Sequence, residues 1–169
     1  IAIFKPAIFR RFLPAAFILL LAVPFLQAQK VTQIEILNAD IIRTDKSLGP
    51  GAQKLLGNVI FKHEEAIMTC DSAYFYSKTY SMDAFSNVEI VQGDTLFLYG
   101  DKLHYEGETK LAQVRQNVKL IDDSTVLVTD YLDYNRVTEI AYYLNGGVIT
   151  EGDNRLTSEQ GYYNTNTEV

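Results

Sequence analysis

The sequence predicts an all-β, antiparallel fold built from repeats of bent strands that share one apolar face. Three observations predict it. A phrase centred on an acidic residue recurs about every 30 residues, at Asp71, Asp101, Asp130 and Glu159. A second phrase keeps the same step: "GNVIF", "SNVEI", "QNVKL" and "GGVIT" carry Val59, Val88, Val118 and Val148. A fixed period in this range marks a repeat architecture. The composition agrees, with 11 Tyr, 9 Phe and 47% hydrophobic residues, the aromatic and β-branched bias of strands. No long segment has a helical period.

The amino-terminal segment reads as a secretory signal over residues 1–29. Lys5, Arg10 and Arg11 form its basic region, residues 12–26 its apolar run, and Ala28 supplies a small residue for cleavage. The apolar run holds Pro14 and Pro24 and is short against the roughly 20 residues of a membrane span. A retained membrane anchor is the competing reading. Residues 30–169 then form a single domain. Removing three of the 15 basic residues leaves 12 against 21 Asp and Glu. That acidic balance speaks against nucleic acid, whose phosphates call for basic patches. Cys70 is the only cysteine, so neither an intramolecular disulfide nor a zinc cluster is available. An exported, disulfide-free protein suits the bacterial periplasm.

Aligned on the acidic residue, each repeat shows which side chains face inward. Three positions before it stand Met68, Leu98, Leu127 and Leu156, all large and apolar. One before it stand Cys70, Gly100, Thr129 and Ser158, all small. Two after it come Ala73, Leu103, Leu132 and Gly161, and four after it Phe75, Tyr105, Tyr134 and Tyr163. Alternation implies strand, because side chains on one face recur every second residue. The inward parity changes from odd offsets to even offsets at the acid, as a bulge or sheet corner requires. The small residue beside the acid makes the bend sterically cheap.

The valine-centred strands follow the same rule. Met82, Ala84, Val88 and Ile90 share a face, as do Ala112, Val114, Val118 and Leu120. Tyr142, Leu144 and Val148 are read as the continuation. Turn residues separate the strands at 92–94, 106–109, 121–125 and 151–154. Eight to ten strands are expected. Their apolar face can be hidden by rolling the sheet into a jelly roll or barrel, or by stacking as a solenoid. Either leaves open edge strands to which a partner can add. The final "GYYNTNTEV" is not followed by another "NV" strand, so the domain is expected to be cut mid-repeat.

The recurring "GNV … D-x-L-x-Y" grammar behind a secretion signal resembles the OstA/LptA family of lipopolysaccharide-transport proteins. It is carried by Gly57-Asn58-Val59, Asn87-Val88 and Asn117-Val118, by Asp101 with Leu103 and Tyr105, and by Asp130 with Leu132 and Tyr134. The resemblance covers the chain from about Val31 to its end. It implies a periplasmic, repetitive antiparallel β-jellyroll open at both edges, a module that family shares with LptC and the amino-terminal part of LptD. It also implies a greasy groove for the acyl chains of lipid A, with the sugars outside. The residues it assigns to that groove are Val59, Met68, Phe75, Val88, Leu98, Leu103, Tyr105, Val118, Leu127, Leu132, Tyr134 and Leu156. The same residues also read as plain core without a ligand. Implied partners are lipopolysaccharide, an outer-membrane assembly protein, and other jellyroll modules or further copies of the chain joined edge to edge.

No catalytic constellation is present in the sequence, and no cofactor is expected. His63 and His104 lie in different phrases without metal-ligand spacing and read as surface or strand histidines. The row of Asp71, Asp101 and Asp130 reads as structural, capping backbone N–H groups at the bend. A non-enzymatic structural or adhesive β-solenoid at the cell surface is the rival to a lipid carrier.

Overall fold

The structure, a computed structural model, describes residues 33–166. The expected signal over residues 1–29 lies outside the described residues. Among the described residues twelve strands form one antiparallel sheet: β1 (Glu35–Asn38), β2 (Ile41–Thr44), β3 (Ala52–His63), β4 (Ala66–Tyr76), β5 (Ser81–Gln92), β6 (Leu96–Glu106), β7 (Leu111–Asp122), β8 (Thr125–Asn135), β9 (Ile140–Tyr143), β10 (Gly147–Glu151), β11 (Asn154–Ser158) and β12 (Gly161–Asn164). Side by side they run β1-β3-β4-β5-β6-β7-β8-β10-β11, while β2 pairs with β3, β9 with β8, and β12 with β9. The excess over the eight to ten expected strands has a simple origin. Three long strands are each broken in two at the bend, giving β1/β2, β9/β10 and β11/β12. Among the described residues the helical content is one 3-10 turn, Lys46–Leu48.

Every central strand bends at the same level. Pairing is interrupted between Leu56 and Val59, Thr69 and Ser72, Phe85 and Val88, Tyr99 and Lys102, and Arg115 and Val118. In β3, β5 and β7 the interruption holds two consecutive left-handed residues: Gly57 and Asn58 (φ 74° and 46°), Ser86 and Asn87 (62° and 51°), Gln116 and Asn117 (66° and 52°). Such a pair adds length to one strand only, which is a bulge, and asparagine tolerates the left-handed region better than most residues.

The acidic phrase meets the asparagine phrase at this bend. Asn58 donates from its side-chain amide to Asp40 (2.9 Å), Asn87 to Asp71 (2.8 Å) and Asn117 to Asp101 (2.6 Å). The sequence pattern predicts that the carboxylates cap backbone N–H groups. Asp130 does so, accepting from the Asn117 N–H at 3.2 Å, but Asp71 and Asp101, like Asp40, instead accept from a neighbouring asparagine side chain. The reason is reach: a strand bent outward presents its asparagine amide directly beside the next carboxylate. A Cβ at Gly57 would lie 2.3 Å from the Asp40 carboxylate, which would have to move aside, whereas the equivalent positions hold Ser86 and Gln116.

The bend folds the sheet into two facing halves. The upper half contains β1, β10, β11 and residues 59–63, 66–69, 88–92, 96–99, 118–122 and 125–128. The lower half contains β2, β9, β12 and residues 52–56, 72–76, 81–85, 102–106, 111–115 and 131–135. Their inner faces form one hydrophobic cluster running from Ile34 to Tyr143, and the parity change at each acid puts apolar side chains inside on both limbs. Full burial of each large side chain contributes about 1.5–3 kcal/mol. The small position before the acid faces inward too: a Cβ on Gly100 would lie 2.4 Å from Val114.

The fourth repeat departs from the expected alignment. Gly147 pairs with Thr129, the position that Val118 faces from the other side of β8. The repeat step is therefore 29 residues here, and the inward residues are Ala141, Tyr143 and Gly147. Tyr142, Leu144 and Val148, expected inside, are displaced by one: Tyr142 stacks on Tyr162 and Leu144 is exposed. Volume explains the slip. The Tyr143 ring fills the space that a valine at 147 would need, 2.4 Å from where its Cβ would lie.

Candidate functional site: the apolar interior between the half-sheets

Strand alternation and the bend together give a two-walled apolar interior. Val59, Met68, Val88, Leu98, Val118 and Leu127 come from the upper wall, and Phe75, Leu103, Tyr105, Leu132 and Tyr134 from the lower. These eleven are at most 6% exposed and belong to the one hydrophobic cluster. The walls touch in the described state, with Phe61 and Phe75 facing each other at 6.0 Å between ring centroids.

Leu156 occupies the equivalent inward position on β11, opposite Ile149, but is 58% exposed. It stands at the open end of the upper half. A cleft of about 620 Å³ lies there among Thr95, residues 122–125, Ile149, Glu151, Leu156 and Tyr163. The apolar interior is thus closed along its middle and open at the β11/β12 end.

Opposite the bend, the free rims of the two halves meet. His63, expected as a surface or strand histidine, is a buried strand histidine. Its Nδ1 lies 2.7 Å from the Tyr105 hydroxyl. Arg136 is 8% exposed and donates from Nη1 to the same hydroxyl at 2.8 Å and from Nε to Gln92 at 2.8 Å. Burial pushes the Tyr105 hydroxyl pKa above its ordinary value, against the lowering influence of Arg136. Further along the rim Lys110 pairs with Glu64 at 2.7 Å, Tyr163 donates to Asp122 at 2.9 Å, and Gln33 donates to Tyr80 at 3.1 Å. The Arg136–Tyr105 link spans 31 residues of sequence, and the others span 41 to 47.

Sequence reasoning missed several interior residues. Phe61 lies two residues after Val59, on the same parity as Ile90 and Leu120, and that signal is present in the repeat. Tyr143 is hidden by the one-residue slip. Arg136 sits in a turn outside both phrases, where no period points to it.

The interior offers little for chemistry. Burial lifts the Cys70 thiol to about 11, leaving it protonated and inert. Among the described residues no three His, Cys, Asp or Glu side chains are arranged to hold a metal ion. His104 is committed to Asp83 at 2.7 Å on the outer face.

Comparison with known proteins agrees with this architecture. No curated protein sequence matches the chain. Among solved structures, it is similar to LptH, the LptA-homologous periplasmic component of the lipopolysaccharide transport device of Pseudomonas aeruginosa. The TM-score is 0.53 at 14% identity, covering 62% of this chain and 76% of that one. That likeness is one of fold, the open β-jellyroll. The family model for OstA-like proteins matches residues 31–169, from the first strand through the last. The repeat of asparagine bulge and acidic partner runs through the matched region, and the chain is a member of the OstA-like protein family.

Proposed function

We propose that this protein is a periplasmic, non-enzymatic carrier of lipopolysaccharide that shields the acyl chains of lipid A between its two half-sheets. The observation that carries the reading is the continuous two-walled apolar interior, which runs the length of the sheet and opens at the β11/β12 end. Val59, Met68, Phe75, Val88, Leu98, Leu103, Tyr105, Val118, Leu127, Leu132, Tyr134 and Leu156 would line the acyl-chain path. Each buried methylene contributes about 0.8 kcal/mol, so a lipid with several chains is held without a charged contact. The family supports the same reading, and the acidic balance leaves room for an amphiphile held through its apolar part. Catalysis has no part in it.

The edges supply the partners. β1 and β2 pair only with β3, β11 only with β10, and β12 only with β9 among the described residues. Their outward rims are open to strand addition by another jellyroll module, a second copy, or an outer-membrane assembly protein. A chain of such modules would give lipid a covered path across the periplasm.

One observation favours a second reading. The middle of the interior is close-packed, as a purely structural or adhesive repeat requires. Titration of the purified domain with lipopolysaccharide, followed by displacement of an apolar dye, separates the two. Saturable binding with dye release supports the carrier. A folded protein that binds neither lipid nor dye is the structural repeat.

A further inference from the structure

We propose that the rim opposite the bend is a polar latch, centred on Tyr105, whose release lets the two half-sheets part and admit the acyl chains. The inference rests on the carrier reading and says how a packed interior performs it.

The two sides of the fold differ in what holds them. On the bend side every strand is continuous or nearly so, and the Asp40–Asn58, Asp71–Asn87 and Asp101–Asn117 bonds brace one strand to the next. That side acts as a spine. On the opposite side, among the described residues, no strand crosses between the halves. They are joined by side chains: Glu64 with Lys110, His63 on the Tyr105 hydroxyl, Arg136 on Gln92, and Asp122 with Tyr163, while Arg136, on the same half as Tyr105, also donates to that hydroxyl. Separation of the walls therefore has one hinge and one seam.

The chemistry of the seam suits reversible opening. An apolar seam exposed to water loses its burial outright, whereas polar groups exchange partners for water and lose little. When the walls close, the same groups are satisfied and the interior is sealed. Tyr105 joins both parts: its ring lies in the apolar cluster, and its hydroxyl lies between His63 and Arg136. Lipid that displaces the ring from its packed position must also release the latch. Loading and opening are one event.

The test tethers the seam. In a Cys70→Ala background, Glu64→Cys and Lys110→Cys are joined by a short bismaleimide, and binding of fluorescent lipopolysaccharide is compared before and after joining. A control tether joins Thr79→Cys to Thr109→Cys, on neighbouring turns of the lower half. The latch predicts binding at least about tenfold weaker with the seam tethered and unchanged with the control. Equal binding with the seam tethered overturns the latch and leaves the carrier standing. An untethered parent that binds no lipopolysaccharide overturns the carrier reading, and the latch with it. A second variant, Tyr105→Phe, keeps the ring and removes the hydroxyl; it takes up lipid several-fold to about tenfold faster, the scale of one lost hydrogen bond across the seam. Unchanged uptake by that variant, with an unaltered circular dichroism spectrum, removes Tyr105 from the latch.

Discussion

Strands β4 to β7 and strands β9 to β12 are written in the same grammar and end in different states. In the middle, Leu98 has an opposing wall and is fully buried; at the end, Leu156 holds the same repeat position and is 58% exposed. The middle keeps valine at the bend, in Val88 and Val118, whereas the end uses Gly147 beneath Tyr143. Repeat position therefore fixes which way a side chain points. Neighbours on the opposite half decide whether it is buried.

The sharpest way to break that comparison is to truncate the two leucines. Leu98→Ala should cost about 2–5 kcal/mol, because a fully enclosed site cannot collapse around the missing atoms. Leu156→Ala should change stability by no more than about 0.5 kcal/mol, as exposed substitutions do. Urea unfolding midpoints of the two variants measure the difference. Equal costs would mean that the end of the sheet is as enclosed as its middle.

The glycine exchange comes next. Gly147→Val restores the valine of the central repeats but drives it into the Tyr143 ring, an overpacking that should cost about 1–3 kcal/mol. Adding Tyr143→Val should recover part of that loss, with a coupling of about 0.5–3 kcal/mol in a double-mutant cycle. Additive costs would refute the volume explanation for the shifted repeat.

Backbone strain gives a smaller contrast. Gln116 is left-handed at φ 66° and Gly146 sits at φ 93° with nothing near an added Cβ. Gln116→Gly should stabilise by about 0.5–1 kcal/mol, relief of the left-handed penalty outweighing the added chain entropy. Gly146→Ala should destabilise by about 1 kcal/mol through conformation alone. Thermal unfolding of both variants checks the opposite signs.

Alkaline titration provides the mildest distinction. Burial, reinforced by the Asp122 carboxylate, pushes Tyr163 up to about 12; burial and the Asp83 carboxylate do the same to Tyr76. A tyrosine with a raised folded pKa keeps its proton longer in the folded state. Its contribution is complete below about 10 and is lost as pH climbs towards about 12. Phenolate absorbance should thus lag that of the urea-unfolded chain across this window. Replacing Asp122 by Asn should shorten the lag at one end of the sheet only.

Much of this fold is legible in the sequence because its information is local. Two phrases in step give the strands, the bend and the inward positions of the central repeats, since alternation and bulge chemistry act between near neighbours in sequence. The slip at Gly147 is not legible, because "GGV" matches the earlier phrases best in a register that packing around Tyr143 rejects. The rim is less legible still. His63 and Tyr105 meet across 42 residues, and a contact between facing walls leaves no trace in a 30-residue period. The interior positions are readable as apolar, but neither period nor parity distinguishes a packed core from a path for lipid.

The most direct measurement places a photoreactive residue at Leu98, and at Leu127 in a second variant, in cells making their own lipopolysaccharide. Outward-facing Lys119 is the reference position. The carrier account predicts lipopolysaccharide adducts from the two inward sites and none from Lys119. Folded, exported protein that yields no lipid adduct at either inward site would contradict it.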